Sequence, residues 1–345
     1  MQHRVLVTGA DTFWGGLMIQ ALEEDPGMEM ILGMGAHAPS VPFERAEFVR
    51  ADPNYSILNR IVKATQVDTI LHTFMVTNSA RLSSRALHET NVIGTMNLLA
   101  AAGAPGSAVR HIVVKSSTLV YGSSARDPNT FHEDTPRAGP PRHSVERTLL
   151  EAESLVRDFS EDNPATLITV LRFANVLGPH LTTAISRNLS RPICPAIFGF
   201  DPLVQFVEES DVVRALLHVT RGGIPGLYNV AGDGRLPWSE VTNICGTRRF
   251  PLSPYTLLRI RPVARLFDLP PELEDLLRYG RGVDTSRLTA TGFTYRASSA
   301  GAVESFIAEL RLRRAAGRAG SSYTYEHDVE QFFRHSPSVV GPADR

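Results

Sequence analysis

Val5-Leu6-Val7-Thr8-Gly9-Ala10-Asp11-Thr12-Phe13-Trp14-Gly15 decides the fold. Val5 to Thr8 is an apolar run suited to a strand buried on both faces, and a glycine turn carries it straight into helical spacing. Such a turn leaves the first amide N–H groups of the helix, and the positive end of its dipole, aimed at one point. That arrangement receives a pyrophosphate. The residues placed to do so are Gly9, Thr12, Phe13, Trp14 and Gly15. Thr12 stands where such loops usually carry a middle glycine; its side chain narrows the cradle, and its hydroxyl can donate to a phosphate. A tight turn in which Gly15 merely packs the helix on the sheet stays open as the alternative.

Working outward, apolar runs rich in Val and Ile recur at residues 4–8, 28–33, 47–51, 69–73, 110–116 and 167–173. Helical spacing lies between them at 17–24, 57–64, 86–101 and 145–159. Strands that alternate with helices predict an α/β chain, a doubly wound parallel sheet of the Rossmann kind. Past Gly178 prolines punctuate shorter segments, a helix is predicted over 211–220 and a short strand over 227–230. The expected division is a dinucleotide-binding domain over 1–178 and a smaller C-terminal substrate lobe within 179–315. Residues 203–232 return to the first domain, and 316–345 form a flexible tail with a short helix near 328–334.

Composition narrows the function classes. A net charge of −1 gives no general pull on nucleic acid or an anionic membrane. The two cysteines, Cys194 and Cys245, lie outside any Cys-x-x-Cys or Cys/His cluster, so no metal site or disulfide framework is expected. No apolar stretch approaches the roughly 20 residues of a membrane span, and no export signal precedes the first strand; a cytoplasmic location is expected. Arginine almost replaces lysine, since Lys63 and Lys115 are the only lysines among 35 basic residues.

Further motifs carry a resemblance. Ala51-Asp52 follows the third strand, Asn91-Val92-Ile93-Gly94-Thr95 lies in a helix, and Ser116-Ser117-Thr118-Leu119-Val120-Tyr121-Gly122 follows the fifth strand. Leu171-Arg172-Phe173-Ala174-Asn175-Val176-Leu177-Gly178-Pro179, Asp211 to Ala215, Tyr228 to Gly232 and Asp284-Thr285-Ser286-Arg287 come later in the same order. With the glycine loop, these make residues 4–307 resemble an extended short-chain dehydrogenase/reductase of the NAD-dependent epimerase/dehydratase family, of the UDP-glucose 4-epimerase-like, actinobacterial type. The resemblance implies NAD or NADP as cofactor. It implies Asp52 on the adenine, Thr73, Phe74 and Met75 bordering the cofactor, and Asn91 organising the site. Ser117 would meet a substrate hydroxyl or keto oxygen and Asn175 would lie near a substrate diphosphate. The end of the second strand offers Met34 and Gly35 rather than an acid for the adenosine ribose, and His37 or Arg45 is placed for a 2'-phosphate; the choice between NAD and NADP stays open.

The chain departs from the family where the chemistry is done. Residues 123–165 contain neither Tyr nor Lys, and the alignment puts Val145 and Leu149 where the family carries its catalytic Tyr-x-x-x-Lys pair. Val204 replaces the arginine of the Arg-Asp-Phe element, and Phe74 with Met75 replaces small residues. Candidates for the lost proton transfer are Lys115, on the same strand face as Ser117, then Tyr121, then His143. Two functions are expected to compete. One is an atypical oxidoreductase acting on a hydroxyl or keto group; the other is a non-catalytic NAD(P)-binding regulatory or scaffold protein. The expected partner is a small molecule, a nucleotide sugar by the resemblance, with neither nucleic acid nor membrane, and a homodimer stays open.

Overall fold

The computed structural model describes residues 3–78, 82–253, 267, 269–315 and 323–324. Strand β1 (His3–Thr8) runs into helix α1 (Phe13–Glu23), followed by β2 (Met28–Gly35), β3 (Glu47–Arg50), α2 (Tyr55–Thr65) and β4 (Thr69–His72). Then come α3 (Ser84–His88), a π-helical turn (Glu89–Ile93), α4 (Gly94–Ala102), β5 (His111–Ser117), a 3-10 turn (Thr118–Tyr121), α5 (Ser144–Asp162) and β6 (Leu167–Phe173). Short elements follow: β7 (Asn175–Leu177), β8 (Leu181–Thr182), α6 (Ala184–Leu189), β9 (Ile193–Ile197), β10 (Leu203–Val204) and β11 (Phe206–Glu208). Helix α7 (Glu209–Gly222) and strand β12 (Gly226–Val230) precede β13 (Leu236–Pro237), α8 (Trp238–Cys245) and β14 (Arg248–Leu252). The described chain ends with α9 (Pro271–Tyr279), α10 (Ser286–Thr289), α11 (Ser299–Ala315) and β15 (Tyr323–Thr324).

Seven parallel strands form the central sheet in the order β12-β6-β5-β4-β1-β2-β3. This is the doubly wound α/β fold that the alternation predicts. The strand order reverses between β1 and β4, and loops leaving the two carboxyl ends part there to open a crevice. Helices cover both faces because both are apolar. Leu58, Val62, Leu98, Val145 and Leu149 fill one side under α2, α4 and α5; Met18, Ile19, Leu22, Val212 and Leu216 fill the other under α1 and α7. Strand β12 (Gly226–Val230) returns the chain to the sheet beside β6.

A third apolar cluster, including Trp238, Phe206, Leu273, Leu276 and Phe306, lies among the later elements and contains both cysteines, buried and unbridged. The tail expected over 316–345 lies outside the described residues apart from Tyr323–Thr324, whose backbone pairs in parallel with Leu181–Thr182. No described helix is long and apolar enough to cross a membrane.

Candidate functional site: a crevice with a buried lysine

The glycine loop is held by two close approaches. Gly9 adopts φ +72°, which side chains disfavour, and a Cβ there would lie 2.8 Å from the Cβ of Phe74. A Cβ on Gly15 would lie 2.0 Å from the Gly9 carbonyl oxygen, so α1 can start this close to β1 only with glycine. Thr12 caps the helix: its hydroxyl donates to the Gly9 carbonyl at 2.7 Å and accepts from Gly15 N at 3.2 Å. The hydroxyl expected to reach a phosphate is thus spent on the loop itself. The amides of Phe13 and Trp14 open the helix, and the Trp14 ring turns inward to line a cleft.

Phe74 packs against the glycine loop through its Cβ and turns its ring toward His72. Its ring lies against His72, centroids 4.2 Å apart, and fits over Gly94, where a Cβ would come within 2.9 Å of it. The other sequence candidates around it are buried. Met75 is fully buried in the core, and Thr73 donates its hydroxyl to the Thr8 carbonyl at 2.7 Å, stitching β4 to β1. Asn91, also fully buried, accepts from Val76 N at 2.8 Å and donates to the Val76 carbonyl at 2.9 Å and the Thr148 hydroxyl at 3.1 Å. The π turn at 89–93 aims Asn91 inward, so it positions the loop after β4. Asp52, half-buried after β3, has no hydrogen bond to its carboxylate among the described residues.

The cleft, about 130 Å³ in volume, is walled by β5, the loop after β6, residues 181–185 and α9. Lys115, Ser117, Asn175 and Arg281 all line it. Lys115 is 4% exposed and has neither an ion-pair nor a hydrogen-bond partner among the described residues. Its ammonium lies 5.1 Å from the Trp14 ring centroid and 5.8 Å from that of Phe173. Desolvation pushes its pKa down to about 8. Ser117, two residues on along the same face, accepts from Leu119 N at 3.2 Å and starts the 3-10 turn. Asn175 donates to the Gln205 carbonyl at 3.0 Å.

Two other candidates for the missing proton transfer are hydrogen-bonded to groups outside the cleft. Tyr121, 3% exposed, stacks on Phe131, bonds Asn229 Oδ1 at 2.8 Å and the His132 carbonyl at 3.2 Å, and accepts from Arg172 at 2.8 Å. Burial raises its pKa, and Tyr121 is not among the residues lining the cleft. His143 meets Asp275 of α9 at 2.9 Å, which raises the imidazole's pKa and ties α5 to α9. Val145 and Leu149, in place of the Tyr-x-x-x-Lys pair, are fully buried in the core. Arg45, proposed for a 2'-phosphate, instead donates to the Glu23 and Met28 carbonyls at 2.7 and 2.8 Å, at the wrong end of β2.

Arg281 is the residue that sequence reading misses. Its backbone pairs with Val204, the position that lacks the family's arginine, and its side chain comes into the same cleft. The side chain is 7% exposed and, among the described residues, has only the Gly122 carbonyl at 3.2 Å and the Ser123 hydroxyl at 3.5 Å as partners, leaving Nε unsatisfied. Burial lowers its pKa to about 10. Nothing in the local sequence announces this, because Arg281 is brought beside Val204 from another segment.

Comparison with known proteins agrees with this geometry. An uncharacterised protein of Mycobacterium tuberculosis H37Rv is 35% identical over 292 residues, covering 82% of this chain and 77% of that protein. UDP-glucuronic acid decarboxylase 6 of Arabidopsis thaliana is 25% identical over 257 residues, 69% of this chain and 72% of its own. Among solved structures, the dTDP-glucose 4,6-dehydratase of Bacillus anthracis in complex with NAD superposes with a TM-score of 0.69 at 16% identity, covering 91% of this chain and 98% of that one. The UDP-glucuronic acid 4-epimerase of Bacillus cereus in complex with NAD gives 0.69 at 16% identity, over 90% and 99%. These likenesses show the fold. The sequence pattern described as the NAD dependent epimerase/dehydratase family matches residues 5–231, two thirds of the length, and the chain belongs to that family.

Proposed function

We propose that the protein binds a nicotinamide dinucleotide, NAD or NADP, across the β1/β4 crevice and oxidises or reduces a hydroxyl or keto carbon of a small molecule, with Lys115 exchanging the proton. Family membership and the relatives' named substrates favour a nucleotide sugar. The observation that carries the reading is Lys115: a buried ammonium without a counter-ion, at the wall of a cleft and two residues from Ser117. Burying a charge without a partner is costly, and such groups concentrate where chemistry needs a shifted pKa.

The residues present fit the dinucleotide. The Gly9 turn and the α1 N-terminus form an anion cradle, and the Asp52 carboxylate, without a hydrogen bond among the described residues, is available to the adenine. When bound, the nicotinamide ring takes up or returns a hydride. Lys115, with its pKa near 8, is present partly as amine at mildly alkaline pH and can accept the hydroxyl proton as the carbinol carbon is oxidised. The ammonium so formed can give the proton back when the carbonyl is reduced. Ser117 stands at the same wall to orient the substrate oxygen, and Arg281 offers the cleft a buried cation for a substrate anion.

The test pairs turnover with binding. With UDP- and dTDP-hexoses as trial substrates, Lys115→Met should cut turnover by about 10²–10⁴-fold while leaving dinucleotide affinity little changed. Lys115→Arg should restore charge without restoring turnover, because a guanidinium does not release its proton. Unimpaired turnover in Lys115→Met would sink the proposal. A second reading, a dinucleotide-binding module without catalysis, is favoured by the burial of Val145 and Leu149 in the core. Saturable dinucleotide binding with no turnover on any trial substrate would select it.

A further inference from the structure

We infer that Asp11, from the glycine loop, receives the adenosine ribose hydroxyls and makes the site select NAD over NADP. This rests on the dinucleotide reading above and names the residue that sets the preference. In a doubly wound sheet the adenosine ribose lies off the carboxyl end of the second strand. An acidic side chain there takes the 2'-hydroxyl of NAD, or an arginine nearby takes the 2'-phosphate of NADP. Here β2 ends on Met34 and Gly35, with no acid of its own.

The structure fills that place from the neighbouring loop after β1. A Cβ on Gly35 would lie 2.3 Å from Asp11 Oδ1, so the Asp11 carboxylate occupies the volume that a side chain at the strand end would otherwise take. Any residue larger than glycine at 35 would expel it. His37 N donates to Oδ2 at 2.9 Å, and His37 Nδ1 stands 3.4 Å from the same oxygen. Oδ1 takes no hydrogen bond from another residue among those described, and Asp11's own backbone N–H lies beside the carboxylate. Desolvation raises the carboxyl's pKa, offset in part by hydrogen bonds from the backbone of His37 and of Asp11 itself.

A 2'-phosphate in this position would face the Asp11 carboxylate, and the nearby cations are badly placed to offset it. Arg45 is turned to the far end of β2. His37 faces Asp11 itself. Arg50, exposed at the end of β3, donates its Nε to the Ala36 carbonyl at 2.9 Å, and a 2'-phosphate would have to rely on it across the carboxylate's repulsion.

Calorimetric titration of the full chain with NAD and NADP, and with 5'-ADP and 2',5'-ADP as probes of the adenosine half alone, tests this. Wild type should bind NAD and 5'-ADP about tenfold or more tighter than their 2'-phosphorylated counterparts, the worth of one hydrogen bond to a charged group. Asp11→Asn keeps the size and the acceptor for His37 N, and should bring the two affinities within about threefold of each other, with the fold checked by thermal melting. Equal or tighter NADP binding by wild type would overturn the inference alone and assign the ribose to Arg50 and His37. So would an NAD/NADP ratio unmoved by Asp11→Asn. Absence of binding by every probe would overturn the dinucleotide reading together with this one. Should Asp11→Asn fail to fold, the wild-type ratio decides.

Discussion

Replacing Lys115 with methionine should make the protein more stable. The ammonium is buried against Trp14 and Phe173 with no carboxylate within ion-pair distance among the described residues, and its pKa falls from 10.5 to about 8. Each pKa unit is worth 1.36 kcal/mol, so holding the charge in the folded state costs about 3 kcal/mol. Methionine matches the length of the side chain without the charge. At pH 7, Lys115→Met should gain up to that amount, which for a chain of 345 residues raises the melting midpoint by about 4 °C. The gain has a pH signature. Below pH 8 both folded and unfolded wild type carry the proton and the cost is present in full. Between 8 and 10.5 the unfolded chain binds more protons than the folded one, so wild-type stability rises with pH relative to the variant, and above 10.5 the gap closes. Melting curves of both proteins from pH 6.5 to 10.5 give the difference directly. A variant less stable than wild type at pH 7, or a gap independent of pH, would refute the view of Lys115 as an unpaired buried charge held for function.

Two further outcomes follow from the same geometry. Tyr121→Phe removes the hydroxyl shared by Asn229, His132 and Arg172 and should cost about 1–3 kcal/mol in urea unfolding with dinucleotide affinity unchanged; lost turnover without lost stability would return Tyr121 to the chemistry. His143 has its pKa raised chiefly by its hydrogen bond to Asp275, so that contact stabilises fully below pH 6.5 and is lost as pH rises through the elevated folded pKa. Unfolding midpoints measured at pH 6 and pH 8.5 should therefore differ less in Asp275→Asn than in wild type, and an identical difference in both would show that the pair does not couple α5 to α9.

What the sequence determined by itself is whatever depends on near neighbours along the chain. Apolar runs separated by helical spacing specify a parallel sheet covered on both faces, since each period fixes which side chains a strand or helix can bury. The glycine turn, the missing Tyr-x-x-x-Lys pair and the same-face placement of Lys115 and Ser117 are likewise local and legible. The tertiary structure decided everything that depends on which distant groups meet. Tyr121 looks available in its motif, yet it is claimed by Asn229 and Arg172; Asn91 and Met75 lie in family motifs but face the interior. Arg281 comes beside Val204 only because α9 returns the chain to β10, and Asp11 reaches the end of β2 only because Gly35 leaves room for it. A side chain's charge state and reach are set by its surroundings in space. Those surroundings are assembled from segments whose separation along the chain carries no trace of the contact.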